Sequence, residues 1–328
     1  MAQLSVVIVT HAGGALLARC LAALAAQSRA ADACWVVVSN TEDTASAVVD
    51  DRAQVLCLGQ NVGFARAANA GLAHAQGDLI VLLNDDTRVE PDFLAALEQG
   101  CSPNEAALLQ PRILLADGTG RIDNVGHGLY LDGLNWARGR QLPDGPNYDT
   151  PGSVGVVSGA AFAITRRALD ALDGFDESLE AFGEDADLSL RAMRRGIPLR
   201  YVPEARVLHE LGATYGRYGA RKVFLVERNR VRAALRSFPA SAIPALPVFT
   251  VLRWCAMGVG ALRGSGRGAQ SSPQATAAAV GGTLAGGWFL VDAMRKRRSD
   301  AVNWQRGERE AWQFLLRERV PFRDLVGP

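Results

Sequence analysis

Cysteine and net charge are both scarce in this 328-residue chain, and each scarcity argues against a class of protein. The five cysteines are scattered, odd in number and never spaced Cys-x-x-Cys. This pattern argues against a disulfide framework or a structural zinc site, and it fits a reducing, cytoplasmic compartment. Lys and Arg total 35 while Asp and Glu total 34, so the basic excess of a dedicated nucleic-acid-binding protein is missing. We therefore expect no nucleic-acid partner.

Three common sequence signals are missing as well. The N-terminus has no basic segment followed by a long apolar run, so the sequence predicts no secretory signal. The first strand-like run is followed by His11-Ala12-Gly13-Gly14 rather than by G-x-G-x-x-G, and no G-x-x-x-x-G-K-[ST] occurs. The chain therefore lacks the usual phosphate-binding devices of dinucleotide-binding folds and P-loop NTPases.

The chain does contain an alternation of apolar runs and helical stripes, within an ordinary globular composition of 48% apolar and 21% charged residues. Over the first half, the predicted strands are 4–10, 34–39, 54–58 and 78–83, and the predicted helices are 14–27 and 63–75. This alternation predicts an α/β domain over residues 1–215, with a mainly parallel sheet flanked by helices on both faces.

The second half changes from strands to helices. Further strands are predicted at 154–158, 161–165, 199–202 and 205–209, and helices at 184–195, 218–237, 243–262, 274–298 and 308–319. A Gly- and Ser-rich stretch at 263–273 has the composition of a flexible linker. Residues 216–328 are therefore predicted to form a helical C-terminal region.

The strongest chemical signal is Asn84-Asp85-Asp86-Thr87, which directly follows a buried strand. Ligand sites of open α/β sheets lie at the carboxyl ends of their strands. Adjacent carboxylates repel each other unless a cation or hydrogen-bond donors neutralise them, and Mg²⁺ or Mn²⁺ often shares such oxygens with a substrate diphosphate. The alternative is that Asp85 and Asp86 only cap a turn.

Two later signals could belong to the same site. Glu184, Asp185 and Asp187 crowd the start of a predicted helix, where a carboxylate aimed into a cleft can take a proton from an attacking hydroxyl. His209 ends a predicted strand, and a neutral imidazole can complete a carboxylate metal site. The alternatives are helix capping with ion pairs to Arg191 and Arg194, and a histidine that serves only packing or lies at the surface.

Taken together, these patterns resemble family 2 glycosyltransferases of the GT-A fold, especially the bacterial rhamnosyltransferase-like branch. The similar segments occur in the family's order over about residues 4–235: the opening strand through Thr10, Gln60-Asn61-Val62-Gly63-Phe64-Ala65 with Asn69 and Gly71, Asn84-Asp85-Asp86-Thr87, Ser158-Gly159-Ala160-Ala161 with Arg166-Arg167, Gly174-Phe175-Asp176-Glu177, Gly183 through Arg191, Val207-Leu208-His209 and Arg228-Asn229-Arg230. Several motifs in the right order are far more specific than any one of them.

The resemblance implies a role for each matching position. Asp86 is the expected carboxylate ligand of Mn²⁺ or Mg²⁺, with His209 as a further metal or diphosphate contact. Asp185 is the expected general base, and Glu184 and Asp187 are expected to support it or to bind the acceptor. The remaining matching residues are expected to bind the nucleotide of the donor: Thr10, Ser39, Asn40, Asn61, Gly63, Phe64, Asn69, Asn84 and Asp85.

The implied activity is an inverting, metal-dependent transfer of a hexose-type sugar from a nucleotide-sugar to a bacterial surface glycan or its lipid-linked precursor. A dTDP- or UDP-sugar is expected, with dTDP-rhamnose as the leading candidate from the resemblance alone. Two departures concern donor recognition. The family usually has Asp-Asn after the second strand, where this chain has Ser39-Asn40, and His11-Ala12 replaces its Tyr-Asn. The uncharged serine leaves recognition of the base open.

The C-terminal third allows two interpretations. The apolar stretch 243–262 contains Arg253 and two prolines, and 274–291 is rich in Ala and Gly before the basic run Arg295-Lys296-Arg297-Arg298. A charge in mid-span and weak hydrophobicity argue against transmembrane helices, whereas apolar faces beside a basic cluster fit helices on an anionic membrane surface, here the inner face of the plasma membrane. The alternative is packing on the catalytic domain or on a second subunit of a homo-oligomer.

Two other functions compete with the transferase. A non-catalytic nucleotide-sugar-binding module of the same fold would not need Asp86, Asp185 and His209 together. A sugar nucleotidyltransferase would normally carry a Gly-rich loop with Lys or Arg after the first strand, and Ala12-Gly13-Gly14 has no basic residue. The three intact residues therefore favour the transferase.

Overall fold

The computed structural model describes residues 3–11, 13–43, 45–46, 49, 51, 53–102, 104–210, 219–262, 273–321 and 324. Its strands are β1 (Leu4–Thr10), β2 (Ala33–Val38), β3 (Gln54–Cys57), β4 (Leu79–Asn84), β5 (Thr87–Val89), β6 (Leu108–Leu115), β7 (Ile122–Asn124), β8 (His127–Leu129), β9 (Asn135–Ala137), β10 (Gly152–Ser153), β11 (Ala161–Thr165) and β12 (Leu199–His209). Its α-helices are α1 (Gly14–Ala25), α2 (Phe64–His74), α3 (Phe93–Gln99), α4 (Arg166–Leu172), α5 (Glu184–Arg194), α6 (Ala220–Ser237), α7 (Leu246–Leu262), α8 (Pro273–Trp288), α9 (Leu290–Ala301) and α10 (Glu308–Arg317).

One mixed sheet organises the first two thirds of the chain. Its main path runs β10-β12-β6-β11-β4-β1-β2-β3, with β5 beside β12 and β7 beside β6, while β8 and β9 form a separate hairpin. The pairs β1–β2, β1–β4, β2–β3 and β6–β12 are parallel, whereas β11 runs antiparallel to both of its neighbours. The carboxyl ends of β1, β2 and β4 therefore meet at one edge, where the predicted ligand residues lie.

Apolar side chains cover both faces of the sheet because successive strand residues point to opposite sides. Val7 and Val9 join the core under α2, α4 and α5, while Val6 and Ile8 join the core under α1 and α3. All seven residues of β1 are buried, as its uninterrupted apolar run predicts for a strand covered on both faces. This confirms the predicted α/β class with its mainly parallel sheet.

Three predicted elements differ from the structure. Residues 154–158 are not a strand, because their amides bond separate partners, including Leu199 O, His127 O and Ser189 Oγ. The two strands predicted at 199–202 and 205–209 are one strand, β12, with an irregularity between Val202 and Arg206. The predicted linker 263–273 lies outside the described residues except for Pro273, which begins α8. The predicted domain boundary at 215 also lies outside them, so both stay predictions.

The helix predicted at 274–298 is also different, since it is two helices, α8 and α9, bent by 55°. After the bend, the Phe289 ring lies 4.4 Å from the Arg232 guanidinium, and Lys296 Nζ lies 2.7 Å from Asp176 Oδ2. These contacts hold α9 against α6 and the segment that contains Asp176.

Gly71 sets the distance between α2 and the sheet. A Cβ at this position would lie 2.4 Å from Val7 Cγ1 and 2.8 Å from Val37 Cγ2, and both valines are buried. We expect Gly71→Ala to lower the free energy of unfolding by about 1–3 kcal/mol, because stiff, β-branched side chains must move to admit the methyl group. Urea unfolding followed by circular dichroism measures this change. Gly287→Ala is the control, since nothing lies within 4 Å of its Cβ position and alanine favours helix. Equal losses of unfolding free energy in both variants would contradict this explanation.

Candidate active site

Thr10 and Asp85 meet where two neighbouring strands end. Val9 of β1 is in register with Asn84 of β4, so the residues that follow each strand are side by side. Thr10 Oγ1 donates a hydrogen bond to Asp85 Oδ2 and accepts one from the Gly13 amide at 2.9 Å. Burial raises the pKa of Asp85 to about 6, and the charge of Asp86 adds to this while the Thr10 hydroxyl opposes it. The end of β4 is therefore a partly buried acidic pair with one oriented carboxyl group.

His209 lies between two carboxylates. The antiparallel pairing of β12 with β5 sets His209 opposite Thr87, next to Asp86. His209 Nε2 lies 3.4 Å from Asp86 Oδ1, and Nδ1 lies 3.0 Å from Asp123 Oδ2. Burial acts to lower the pKa of His209, but the two carboxylates outweigh it and raise the pKa to about 9. The predicted metal residues Asp86 and His209 are thus neighbours in space.

Asp123 is a site residue that the sequence analysis missed. It lies on β7, within a stretch whose Gly, Asp and Asn content predicts loops and a hairpin. Its side chain is buried; Oδ1 lies 3.2 Å from Arg140 Nη1, and Oδ2 accepts a bond from Asn124 Nδ2 at 3.1 Å. Hydrogen bonding and the charge of His209 oppose the effect of burial and hold the pKa of Asp123 below its usual range. Asp123 therefore orients the imidazole, as acids behind metal-binding histidines commonly do.

Asp86 and His209 together have the chemistry of a partial cation site. Asp86 Oδ1 is buried and accepts no hydrogen bond of ordinary geometry from the described residues; it lies 3.4 Å from His209 Nε2, whose proton a bound cation would replace. Mg²⁺ and comparable ions are often held by one or two protein ligands together with substrate phosphates. Within the described part of the chain, no three His, Cys, Asp or Glu side chains are grouped to hold an ion unaided. The two residues thus fit a cation whose other ligands come from a phosphorylated molecule.

Asp185 is connected to the end of β4 by residues 158–160. α5 begins after Gly183, whose φ of +95° suits glycine. The Gly159 amide donates to Asp185 Oδ2 at 3.0 Å, and the next residue, Ala160, accepts a bond from the Asn84 amide at 2.9 Å. This short segment therefore links the acid at the start of α5 with the acids after β4.

Glu184 differs from Asp185 although the two are adjacent. Glu184 is 6% exposed, and its Oε2 is buried and has no hydrogen-bond partner in the described part of the molecule. Burial raises the pKa of Glu184 to about 8, and the charge of Asp185 contributes to the rise. Glu184 is thus a neutral acid at pH 7, while both oxygens of Asp185 accept hydrogen bonds from backbone amides.

The raised pKa of Glu184 makes stability depend on pH. The native chain keeps this proton up to about pH 8, whereas the unfolded chain releases it near pH 4.5, so stability falls between these values. Glu184→Gln cannot ionise, and we expect its advantage in melting temperature over the wild type to grow from pH 5 to pH 9. The free-energy difference should reach on the order of 4 kcal/mol. Thermal unfolding across this pH range, with the exposed Glu177→Gln as control, measures the effect; a difference independent of pH would contradict it.

Asp187, by contrast, faces inward and stabilises the fold. Its Oδ2 lies 2.7 Å from Arg191 Nε and 3.2 Å from Arg236 Nη1, and its side chain is 2% exposed. This matches the alternative of ion pairing within the helix for this one acid. The other predicted partner, Arg194, instead lies 2.9 Å from Glu308 on α10.

His127 is a second residue that the sequence analysis missed. It begins β8 and is partly buried, and its Nδ1 lies 3.3 Å from Asn135 Nδ2. Burial lowers the pKa of His127, while the charges of Asp185 and Asp123 act to raise it. This imidazole therefore lies within electrostatic reach of both the acid at α5 and the acid behind His209. A histidine in a loop-rich stretch of sequence has no periodic pattern around it, so nothing in the sequence identified His127.

The predicted nucleotide residues after β2 and before α2 are joined to one another. Ser39 Oγ accepts the Val62 amide at 3.1 Å, Asn40 Nδ2 donates to His11 O at 2.8 Å, and Asn61 Oδ1 accepts the Gly63 amide at 3.0 Å. These bonds bring the segments after β1 and β2 together with the segment that leads into α2. The residues form one rim beside Thr10 and Asp85, and their contact with a nucleotide stays a prediction.

Asn69 and Phe64 face the segment that leads to the acidic helix. The Asn69 amide exchanges two hydrogen bonds with the Phe175 backbone, at 2.8 and 2.9 Å, and the Phe64 ring lies edge-on to the Phe175 ring at 6.0 Å. A Cβ on Gly174 would lie 2.5 Å from Asn69 Oδ1, so this contact needs glycine. Both residues therefore hold α2 against residues 174–177. Their role in binding the donor stays a prediction.

A cavity of about 630 Å³ lies elsewhere, at the start of β12. Its walls include Pro198, Arg200, Tyr201 and Phe314, and none of the predicted site residues lines it. The acids, the imidazoles and the nucleotide rim instead lie at the opposite end of β12, which finishes at His209. The predicted site residues therefore lie at an open edge of the sheet and not in this cavity.

Known proteins are similar to this chain over about its first two thirds. Residues 2–234 match the family model described as "Glycosyltransferase like family 2". The chain is 31% identical over 173 residues to a protein named "Pre-mycofactocin glycosyltransferase" of Mycobacterium tuberculosis, covering 52% of this chain and 35% of that protein. It is 22% identical over 188 residues to one named "dTDP-rhamnosyl transferase RfbF" of Shigella flexneri, covering 55% and 60%. The chain thus spans less than two thirds of the length of these relatives.

Solved structures show the same fold. The chain resembles GalNAc-T7, a structure with UDP, GalNAc and Mn²⁺, with a TM-score of 0.59 at 18% identity over 74% of this chain and 49% of that one. It resembles the mannosyltransferase PcManGT from Pyrobaculum calidifontis, in complex with GDP-Man and Mn²⁺, with a TM-score of 0.52 at 15% identity over 88% and 87%. These likenesses confirm the predicted GT-A architecture, a mostly parallel sheet with flanking helices and a helical C-terminal part.

Proposed function

Because the chain belongs to glycosyltransferase family 2, we propose that it transfers a sugar from a nucleoside-diphosphate sugar to a hydroxyl group, inverting the anomeric carbon. One observation carries this proposal: residues 158–160 join Asp185 to the end of β4, where Asp86 lies beside His209. A cation-and-diphosphate site next to a carboxylate able to take a proton is what such a transfer requires.

Asp86 and His209 would hold the cation, Mn²⁺ or Mg²⁺, through a carboxylate oxygen and Nε2. When bound, the cation neutralises charge that develops on the departing diphosphate. Asp123 keeps the imidazole in place from the other side through Nδ1, at 3.0 Å. Proteins with this fold that were solved with Mn²⁺ and a nucleotide or nucleotide-sugar support the assignment of a divalent ion.

Asp185 acts as the general base in this proposal. Its carboxylate takes the proton of the acceptor hydroxyl while that oxygen bonds to the anomeric carbon. The bond from the anomeric carbon to the phosphate oxygen breaks, and its electron pair leaves with the nucleoside diphosphate. Gly159 holds one oxygen of Asp185 by its amide, which orients the carboxylate. Glu184, neutral at pH 7, adds no second negative charge beside the base.

The nucleotide of the donor is proposed to bind at the rim formed by Thr10, Ser39, Asn40, Asn61 and Asp85. Ser39 carries no charge and already accepts the Val62 amide, so it offers a hydroxyl rather than a carboxylate to the base. A dTDP-linked deoxysugar such as dTDP-rhamnose is the first candidate, supported by the resemblance and by the name of the Shigella flexneri relative. UDP-sugars are the second candidate, supported by the UDP named for GalNAc-T7.

Melting temperature and product release with a panel of nucleotide-sugars test this proposal. With Mn²⁺ present, dTDP-rhamnose or a UDP-sugar should raise the melting temperature, since a ligand that binds only the native state stabilises it. The same donor should release free nucleoside diphosphate when a saccharide or lipid-linked acceptor is added. Failure of every donor to bind would contradict the proposal. Binding without hydrolysis or transfer to any acceptor would instead indicate a non-catalytic nucleotide-sugar-binding module.

A further inference from the structure

The outer side of α7 is uniformly apolar and open to solvent. Val248, Val251, Leu252 and Val259 are 59%, 54%, 45% and 42% exposed, and their spacing places them on one side of the helix. Cys255, also exposed, lies between them. The opposite side of α7 is buried, with Thr250 and Arg253 turned toward the domain. A stripe of large apolar side chains without a partner is unusual for a soluble surface.

A second stripe lies beside the first on α8 and the start of α9. Leu284, Trp288 and Val291 are 69%, 88% and 82% exposed. Trp254 of α7 and Ala278 of α8 pack against the same buried cluster of Val223, Ala275 and Ala279. Arg253 of α7 and Gly282 of α8 both contact α6, so the two exposed stripes lie on neighbouring helices. We call this surface the apolar face; it consists of Val248, Val251, Leu252, Cys255, Val259, Val280, Leu284, Trp288 and Val291.

Within the described parts of α7, α8 and α9, the exposed charges beside the apolar face lie at one end of it. Arg253 is the charged residue within the described parts of α7 and α8, and it is buried against Asp132 and Glu227 at 2.6 and 2.9 Å. On α9, Arg295 and Arg298 are exposed one and two turns after Val291, on the same side of the helix. The nearby acids are already paired: Asp292 with Arg295 and Lys296, and Asp300 with Arg236. The face is therefore apolar in its middle and cationic at one end.

From this arrangement we propose that the apolar face binds the surface of an anionic phospholipid bilayer. Apolar side chains enter the boundary between headgroups and acyl chains, an exposed tryptophan suits that boundary, and arginines at the border attract anionic headgroups. A second copy of the chain is a poorer occupant, because the face has no acidic side chain among its members to pair with the arginines of a facing copy.

The helices lie on the bilayer rather than cross it. By length and composition, the helical stretch Ala240–Val259 could span a membrane, and the bent pair α8–α9 could form a second span. Arg253, within that stretch, bonds Asp132 of the α/β domain and Glu227 of α6, which fixes the buried side of α7 to the rest of the molecule. Gly282 and Gly286 bring α8 against the α6 backbone, where a Cβ would lie 2.4 Å from Phe224 O and 2.6 Å from Arg228 O.

The apolar face and the acidic helix are on two sides of α6. Asn229 of α6 donates to the carbonyls of Leu179, Ala181 and Phe182, just before Glu184. The neighbouring Arg228 carbonyl faces Gly286 of α8. Because α8 lies between α6 and its own exposed stripe, about two helix diameters, roughly 20 Å, separate the bilayer-binding side from the start of α5. A lipid-linked acceptor would have to extend over that distance to bring its hydroxyl to Asp185; this consequence rests on the proposed function, whereas bilayer binding does not.

Sedimentation with lipid vesicles tests the proposal without any donor or acceptor. The full chain should sediment with vesicles of 70% phosphatidylcholine and 30% phosphatidylglycerol, and less with pure phosphatidylcholine or in 0.5 M NaCl. The triple variant Val251→Ser, Leu284→Ser, Trp288→Ser should lose roughly tenfold or more in vesicle affinity, since three exposed apolar side chains are removed. Its fold should persist, because all three side chains lie outside the core.

A double variant of two exposed leucines outside the face, Leu142→Ser and Leu316→Ser, is the control and should bind vesicles as the wild type does. Equal binding by the triple variant and the wild type, or no binding by the wild type, would overturn the proposal.

A wild-type dimer that only the triple variant breaks, without vesicle binding, would assign the face to a second copy. Protein that resists extraction by alkaline carbonate would indicate a span. Transfer of sugar to a water-soluble acceptor should be equal in the triple and the double variant. If no chain, including the wild type, transfers sugar, that result contradicts only the proposed function and not bilayer binding.

Discussion

Asp185→Asn should leave donor binding intact while transfer falls by about 10²–10⁴-fold, the usual contribution of a general base. Asparagine keeps the size of the side chain and an oxygen that can accept the Gly159 amide, now 3.0 Å from Asp185 Oδ2. The amide cannot take a proton from the acceptor hydroxyl. The affinity for donor, measured by calorimetry with Mn²⁺, should therefore match that of the wild type while the rate of product formation collapses.

Two further variants test whether Asp185 is the general base. Asp170→Asn changes an exposed aspartate on α4, which pairs only loosely with Arg166 at 3.8 Å, and should keep full activity. Glu184→Gln should keep more activity than Asp185→Asn, because Glu184 is already protonated at pH 7. If Asp185→Asn retained wild-type turnover, the base would have to be another residue, and loss of turnover in Glu184→Gln alone would assign the role to Glu184.

Asp86→Ala should abolish both transfer and hydrolysis of the donor, with a loss on the order of 10³-fold or more. The substitution removes the buried oxygen that lies 3.4 Å from His209 Nε2, and with it the carboxylate ligand that the proposed cation needs. Unlike Asp185→Asn, this variant should also lose the Mn²⁺-dependent rise in melting temperature with UDP or dTDP. The two variants thus separate donor binding from proton transfer.

The matched control is Asp170→Ala, which removes a carboxylate far from the sheet edge and should keep the Mn²⁺-dependent rise. Asp86→Asn serves as a second test, because it preserves the shape of the side chain while it removes the charge. An Asp86→Ala protein that still binds UDP or dTDP only when Mn²⁺ is present would show that other residues hold the cation.

Local sequence was sufficient for much of the framework. The run from Leu4 to Thr10 predicted a strand buried on both faces, and β1 is such a strand. The acids after the apolar run at 78–83 were predicted to lie at a strand end, and β4 ends at Asn84 directly before them. These predictions succeed because a two-sided buried strand needs an uninterrupted apolar run, and a polar cluster can follow only where the strand leaves the core.

The other features could not be predicted, because they depend on contacts between residues that are distant in sequence. Asp123 and His127 lie in a stretch without periodicity, and their importance depends on partners such as His209, 86 residues after Asp123. Asn69 matched a segment that resembles a nucleotide-binding motif, yet its amide bonds the Phe175 backbone 106 residues later. The bend between α8 and α9 likewise follows contacts with Arg232 and Asp176, which no local propensity encodes.

The amino-acid order by itself determined the α/β architecture, the motif set of the family and the identity of Asp86, Asp185 and His209 as candidates, because periodicity and residue type are local properties of a chain. Only the folded molecule decided that Asp123 holds the imidazole, that Glu184 is neutral while Asp187 is an internal ion-pair partner, and that the outer sides of α7 and α8 form one apolar face. Burial and charge proximity produce these outcomes, and both depend on which distant segments pack together.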